Sequence, residues 1–293
     1  MEKTSRPSIA YQTKSYFLLT KPGIIMGNAI TAAGGFALAA KGHIDYGLFL
    51  ATLTGLSLII ASACTFNNYI DRNADQKMKR TQNRPLATRL IPSRSAILFA
   101  IFLGLFGILL LTLSTNLITV GLALIGFTVY VFWYSFLKYR STHGTLIGSI
   151  AGAVPPVVGY CSVSNQFDMG ALLLFIMIAL WQMPHFFAIA IYRLDEYAAA
   201  SIPVLPLKKG IHTTKVHMVF YVAAFIISSS MLTIFHYTGL AYAITAAILG
   251  FLWLWLSIKG LKSDNHQRWA RKMFIFSLVI VTGLCAMIPF SLA

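Results

Sequence analysis

The chain has 293 residues, 57% of them hydrophobic and 11% charged, with a mean hydropathy of +0.73. Soluble domains carry about 25% charged residues, so this composition excludes a soluble globular protein and points to an integral membrane protein. The formal net charge of +15 invites a nucleic-acid reading, but its distribution along the chain gives that reading no support.

An apolar run of about 20 residues crosses a bilayer as a helix. Nine candidate runs follow one another, at 24–40, 47–66, 95–113, 117–137, 145–162, 170–192, 216–235, 239–258 and 273–292. They are too long for the strands of a membrane barrel, which run to about 9–11 residues. The expectation is an all-α polytopic membrane protein with nine transmembrane helices, read as a single domain over 1–293. Very short connections at 114–116 and 236–238 predict antiparallel hairpins. With the N-terminus placed in the cytoplasm, 22 of the 23 Lys and Arg residues fall on that side and only Lys41 falls opposite. Four of the 22 are in the N-terminal tail (Lys3, Arg6, Lys14, Lys21), with seven, two, four and five after the second, fourth, sixth and eighth runs. This bias orients the N-terminus inside and the C-terminus in the periplasm. The charge therefore reports topology and contact with anionic membrane lipid, with no nucleic-acid partner. The polar first 16 residues precede a run too long for a signal-peptide core and show no small-residue cleavage site. A bacterial inner (cytoplasmic) membrane is the simplest location.

Taken in chain order, the first polar residue inside a run is Asn28, just beyond Lys21-Pro22 and a candidate cavity-lining donor. The second run ends in NNYIDRNADQKMKRTQNR, 67–84. Asn67, Asp71 and Asp75 are spaced i, i+4, i+8, and Asn68 lies three before Asp71, so on a helix all four share a face. Two carboxylates placed this way repel, which makes sense if a divalent cation such as Mg²⁺ sits between oxygen ligands. The basic residues that follow (Lys77, Lys79, Arg80, Arg84) suit a polyanion bridged by that metal, with diphosphate the natural candidate. The plainer alternative is a set of acid–base pairs at a solvated helix end. Two asparagines carrying the same face back into the membrane argue against it, since polar side chains there are expensive and usually functional.

After the fourth run comes FLKYRSTHGTLIGSIAGAVPPVVGY, 136–160. Lys138 and Arg140 fall on the same side as the acids and are candidates for phosphate oxygens, or positive-inside anchors alone. Gly148, Gly152 and Ala153 allow close helix approach, and Pro155-Pro156 is expected to break the fifth span. The sixth run leads into WQMPHFFAIAIYRLDEYAAASIPVLPLKKG, 181–210. Pro184 is expected to break the helical ladder at membrane depth. His185, in the middle of the span, is either a satisfied intramembrane hydrogen bond or a haem contact, to the iron or to a propionate. Asp195 and Glu196 can supply a second metal ligand or orient Lys208 and Lys209. Neighbouring positions on a helix diverge, so only one of the two acids is expected to serve, with Asp195 favoured. The two acid-bearing segments follow the second and sixth runs, a spacing that hints at four-helix pseudo-repeats. Aromatic residues near them, including Phe66, Tyr69, Trp133, Tyr134, Trp181, Phe186 and Phe187, are interfacial belt residues or shields for an allylic cation. Cys64, Cys161 and Cys285 lack metal-ligand spacing and read as buried small hydrophobes.

The pattern NNxxDxxxDxxMxRTxxRP, from Asn67 to Pro85, resembles the first aspartate-rich motif of the UbiA superfamily of intramembrane aromatic prenyltransferases. TKPGI (20–24), GAVPPVVGY (152–160), PHFFAIAIYRLDEYAAASIPVLPLKKG (184–210) and Asn68 in place of the usual Asp resemble the haem-farnesylating branch of that superfamily. The resemblance spans nearly the whole chain. It implies nine helices around a central cavity open to the cytoplasm, with Mg²⁺ on the aspartate-rich motif holding farnesyl diphosphate and haem b as acceptor. Carried over residue by residue, Asn67, Asn68, Asp71, Asp75 and Asp195 become metal-binding candidates, the first, third and fourth of them catalytic. Lys77, Arg80, Arg84, Lys138, Arg140 and Lys208 become diphosphate candidates, and His185 a haem contact. The superfamily's second motif is typically DxxxD, whereas Asp195 here is followed at i+4 by Ala199, which puts a second Mg²⁺ in question. A haem A synthase or terminal-oxidase assembly protein is an implied partner. Three other readings stay open at this point: prenylation of a quinone-precursor aromatic, a transporter with a polyanion site, and an assembly protein without catalysis.

Overall fold

A computed structural model of the chain describes residues 8–291; Lys3 and Arg6 of the basic tail lie outside them. Among these residues every regular element is helical. The order is α1 (Ile9–Leu19), α2 (Pro22–Ala40), α3 (Tyr46–Asp75), α4 (Ser93–Ser114) and α5 (Leu117–Thr128). A π-helical turn (Val129–Tyr134) then runs into α6 (Ser135–Leu137). After it come α7 (Gly144–Ser164), α8 (Met169–Tyr192), α9 (Leu194–Ala199), α10 (Leu205–Lys209), α11 (Ile211–Ile234), α12 (Leu240–Leu261) and α13 (His266–Met287), which a short 3₁₀ turn extends to Phe290. Among the described residues nine helical segments are long and apolar enough to cross a membrane, in agreement with the nine runs.

The helix ends follow local chemistry. Asp45 caps α3 by accepting from the Leu48 amide, Asn116 caps α5 through Thr119, and Asp168 caps α8 through Ala171, each satisfying a first-turn donor. Two of the eight acids are thereby assigned to capping. At the opposite ends several helices outrun their apolar stretches: α3 continues to Asp75, α11 begins at Ile211 and α13 at His266. The extension of α3 matters most, because it makes the spacing of 67, 71 and 75 a true helical face.

Two expectations are corrected. Neither Pro155-Pro156 nor Pro184 breaks its helix; α7 and α8 run through them without interruption. Proline removes one hydrogen bond in the ladder, and close packing holds the remaining turns in line. A Cβ on Gly35 of α2 would overlap the Pro156 carbonyl, and one on Gly159 would overlap the Ala32 carbonyl, so α2 and α7 meet backbone to backbone. That is the small-residue contact that packs helices in lipid, where burial between helices gains little. Gly148 and Gly152 serve other neighbours, lying under the Tyr134 ring and the Gln182 side chain respectively. All three cysteines are buried and unpaired.

The most enclosed span is α7, with α2, α5 and α8 packed around it; α3 pairs with α4, and α8 with α11 and α13. The ends of α1, α3, α6 and α9 come together at one end of this bundle, where the polar residues collect.

Candidate active site

The last three turns of α3 build the site. Asn67, Asn68, Asp71 and Asp75 are all buried, at 2%, 2%, 8% and 2% exposure, and the face predicted from their spacing is the one that turns inward. Burying carboxylates demands compensation, and cations from three directions supply it. Lys138, just beyond α6, donates to Asp71 Oδ2 at 2.5 Å, and the Tyr139 hydroxyl donates to Oδ1 at 2.8 Å. Arg84 spans both oxygens of Asp75 through Nη1 at 3.0 and 2.9 Å and reaches Asn68 Oδ1 at 3.2 Å. Lys21 donates to Asn67 Oδ1 at 2.5 Å. The loop that returns Arg84 is held by Thr81 Oγ1 donating to the Asp75 carbonyl at 3.0 Å and by Gln76 Nε2 donating to the Ala87 carbonyl at 2.7 Å.

These environments tune the charges. Burial, reinforced by the Arg84 guanidinium, lowers the Lys21 ammonium to about 8. Burial also lowers Lys138, against the pull of Asp71, and raises the Tyr139 phenol, with the Asp71 charge adding to that rise. Tyr139 is therefore held as a hydrogen-bond donor. Lys21 has left-handed backbone (φ 53, ψ 68) immediately before Pro22. That conformation costs a non-glycine residue about 1–2 kcal/mol, and the bond to Asn67 helps offset it.

The π-helical turn brings a second layer. It carries Tyr130 and Tyr134, stacked at 5.3 Å, and is followed by Ser135, which accepts from Asn67 Nδ2 at 3.2 Å. Lys138 lies 5.1 Å from the centroids of both Tyr134 and Tyr139. Tyr134 in turn approaches Gly148 of α7 together with Phe186, whose ring meets His185 edge-on at 5.5 Å.

The residues singled out from sequence divide clearly. Asn67, Asn68, Asp71, Asp75, Arg84 and Lys138 are brought together. Arg80 stands at the rim, 3.9 Å from Glu196, which also receives Arg193 at 2.6 Å. The Oε2 atom of Glu196 is buried and without a hydrogen bond. Asp195 is not brought in: it is exposed and lines a separate cleft with Asp264 and His266. Of the two acids, Glu196 and not the favoured Asp195 stands beside the basic rim. The helix stops at Tyr192 and restarts at Leu194, which resets the helical phase and turns Glu196 inward. Arg140 is exposed and lies over the Phe136 ring at 3.8 Å, while Lys77 and Lys208 are exposed and make no ion pair among the described residues. Asn68 uses both ends of its amide within the protein, donating Nδ2 to the Leu19 carbonyl at 2.7 Å while Oδ1 takes Arg84. It is placed as a brace between α1 and α3.

A model of the UbiA prenyltransferase family matches residues 28–279. The chain belongs to the UbiA prenyltransferase family. Within the family it is 55% identical over 277 residues to protoheme IX farnesyltransferase of Protochlamydia amoebophila, covering 94% of this chain and 98% of that one. It is 52% identical over 275 residues to protoheme IX farnesyltransferase of Edwardsiella ictaluri, covering 94% and 93%. A solved structure of a digeranylgeranylglyceryl phosphate synthase shares the fold with a TM-score of 0.79 at 19% identity, over 96% of this chain and 99% of that one. So does a UbiA homologue from Archaeoglobus fulgidus bound to GPP and Mg²⁺, with a TM-score of 0.69 at 13% identity, over 94% and 99%.

Three participants in this UbiA-family site escaped the sequence reading. Lys21 stands in the sequence only among the basic residues of the N-terminal tail and within TKPGI. Tyr130, Tyr134 and Lys138 repeat the i, i+4, i+8 spacing of Asn67, Asp71 and Asp75, a signal for Tyr130 that the π-helical turn then shifts off a single face; Tyr139 lies outside that series and carries none. The role of α1, tied to the site through Asn68, had no apolar run to announce it.

Proposed function

We propose that this prenyltransferase carries the farnesyl group of farnesyl diphosphate to a vinyl side chain of haem b, with addition of water, to give haem O and diphosphate. The observation that supports it best is the buried oxygen-and-cation cluster at one end of the bundle, in a chain more than half identical to farnesyltransferases acting, by name, on protoheme IX. The donor set fits Mg²⁺. Asn67, Asp71 and Asp75 offer hard oxygen atoms with no sulfur or imidazole among them. Mg²⁺ is commonly held by one or two carboxylates and completed by substrate phosphates, the part that Asp71 and Asp75 would play. Bound there, Mg²⁺ would neutralise charge on the departing diphosphate.

The protein's own residues do the rest. Lys21, Arg84 and Lys138 exchange their partners, the Asn67 amide oxygen and the Asp75 and Asp71 carboxylates, for diphosphate oxygens, the arrangement that stabilises developing negative charge. The C–O bond breaks with its electron pair leaving on diphosphate, and the stacked faces of Tyr130 and Tyr134 shield the allylic cation. The vinyl π pair forms the new C–C bond, and water captures the resulting cation and loses a proton. His185 contacts the porphyrin. The one-sided distribution of Lys and Arg supports a cytoplasmic N-terminus and an active site facing the cytoplasm of a bacterial inner membrane, within one prenyltransferase domain. The haem product would feed terminal oxidases, with a haem A synthase as a candidate neighbour.

The test is the mass of the porphyrin product after purified protein is incubated with haem b, farnesyl diphosphate and Mg²⁺, beside a parallel incubation with 4-hydroxybenzoate. Farnesylated, hydrated haem in the first and no prenylated acid in the second is the expected result. The reverse pattern would identify a quinone-precursor prenyltransferase.

A further inference from the structure

His185 on α8 is wrapped in rings. It stacks on Trp181 at 4.9 Å and meets Phe274 of α13 at 5.0 Å. Its Nδ1 lies 2.7 Å from the hydroxyl of Ser277, also on α13. That hydroxyl oxygen lies 2.6 Å from the Phe274 carbonyl oxygen. Two oxygens so close repel unless a proton lies between them, and a carbonyl has none to give, so the single Ser277 proton is donated to Phe274. The hydroxyl then presents a lone pair to Nδ1, and Nδ1 must carry the proton of that bond. In a neutral imidazole this leaves Nε2 bare. No hydrogen bond or ion pair reaches Nε2 among the described residues, and an extra charge at this depth is expensive. The Ser277 carbonyl also accepts the Trp181 indole N–H at 2.9 Å, so one residue of α13 orients both members of the stacked pair on α8.

We infer that Ser277 is a positioning residue that locks His185 in the Nδ1–H tautomer and presents its bare Nε2 to an electron-pair acceptor on the bound substrate. The identity of that acceptor rests on the function proposed above, and on that reading it is the iron of haem b. The tautomer itself rests on geometry alone. It also decides between the two haem contacts considered from sequence: a bare nitrogen can bind iron, whereas a propionate would need an N–H to accept.

Two measurements separate the parts. The first is ¹⁵N NMR of histidine-labelled protein in lipid nanodiscs, with the His185 signals assigned by their loss in His185→Gln. Nδ1–H with bare Nε2 is expected in wild type and in Ser277→Thr, and a mixture in Ser277→Ala; Nε2–H in the wild type overturns the inference. The second is titration with ferric haem b, followed by its absorption and electron paramagnetic resonance spectra. A histidine-ligated spectrum is expected in wild type and Ser277→Thr, absent in His185→Gln, and about tenfold weaker binding in Ser277→Ala, as for other residues that orient a metal ligand. Haem b that is farnesylated by the wild type without histidine ligation overturns the iron assignment and leaves the proposed function standing. Failure to bind or farnesylate haem b, with the tautomer as stated, overturns that function and the iron assignment while supporting the positioning role of Ser277.

Discussion

Asp71 and Asp75 stand four residues apart on α3, while Asp195 and Glu196 stand side by side at the start of α9. Both pairs lie at the same end of the bundle, since Glu196 approaches Arg80. The first pair is buried, bonded to Lys138, Tyr139 and Arg84. The second is split, with Glu196 turned toward the basic rim and Asp195 toward an exposed cleft. The difference lies in the helix beneath them. α3 runs unbroken from the membrane through Asp75, so a spacing in sequence becomes a shared face in space; α8 ends at Tyr192 and the next helix begins with a new phase. Composition placed acids in both segments, and only continuity of the backbone made one of them into a cluster.

The contrast can be broken most forcefully at Asp71. Asp71→Asn keeps the shape and removes the charge that holds Lys138, and farnesyl transfer is expected to fall by about a hundredfold or more, with the protein still recovered folded from the membrane. A loss of only a fewfold would move the donor site elsewhere. Arg84→Ala leaves Asp75 buried without its cation, a change that costs about 3–5 kcal/mol at buried pairs. A clear drop in the melting temperature in detergent is expected, accompanied by weaker binding of farnesyl diphosphate. Asn68→Asp sets a carboxylate against the Leu19 carbonyl, which has no proton to offer. Opposing two buried acceptors costs about 1–3 kcal/mol, so activity should fall roughly tenfold and limited proteolysis should cut more readily near α1. Arg140→Ala and Lys208→Ala, at exposed residues outside the cluster, should leave the turnover rate and KM within about twofold of wild type, since exposed charges contribute little.

How much of this was legible follows from the same physics. The nine spans could be read because lipid satisfies no backbone group, so each crossing must be a long, apolar, self-bonded helix. The Asn67–Asp75 face could be read because it lies on one of those helices. Contacts between elements were not legible. Nothing in the order of residues tells that Lys21 reaches Asn67, 46 positions away, or that Ser277 meets His185, 92 positions away. The π-helical turn, which shifts Tyr130 and Tyr134 relative to Lys138, has no signature in composition. The prolines misled for a related reason: a missing hydrogen bond is a local fact, and the packing that keeps α7 and α8 straight is a tertiary one. The choice between Asp195 and Glu196 turned on helical phase, which is lost at the first break.

The most direct test of the account is calorimetric binding of Mg²⁺ together with a non-ionising thiolo analogue of farnesyl diphosphate to wild type, Asp71→Asn and Asp195→Asn. If the α3 cluster is the diphosphate site, Asp71→Asn should lose about 10–100-fold in Mg²⁺-dependent affinity, while Asp195→Asn binds as wild type does. Wild-type binding by Asp71→Asn, with the loss transferred to Asp195→Asn, would contradict it.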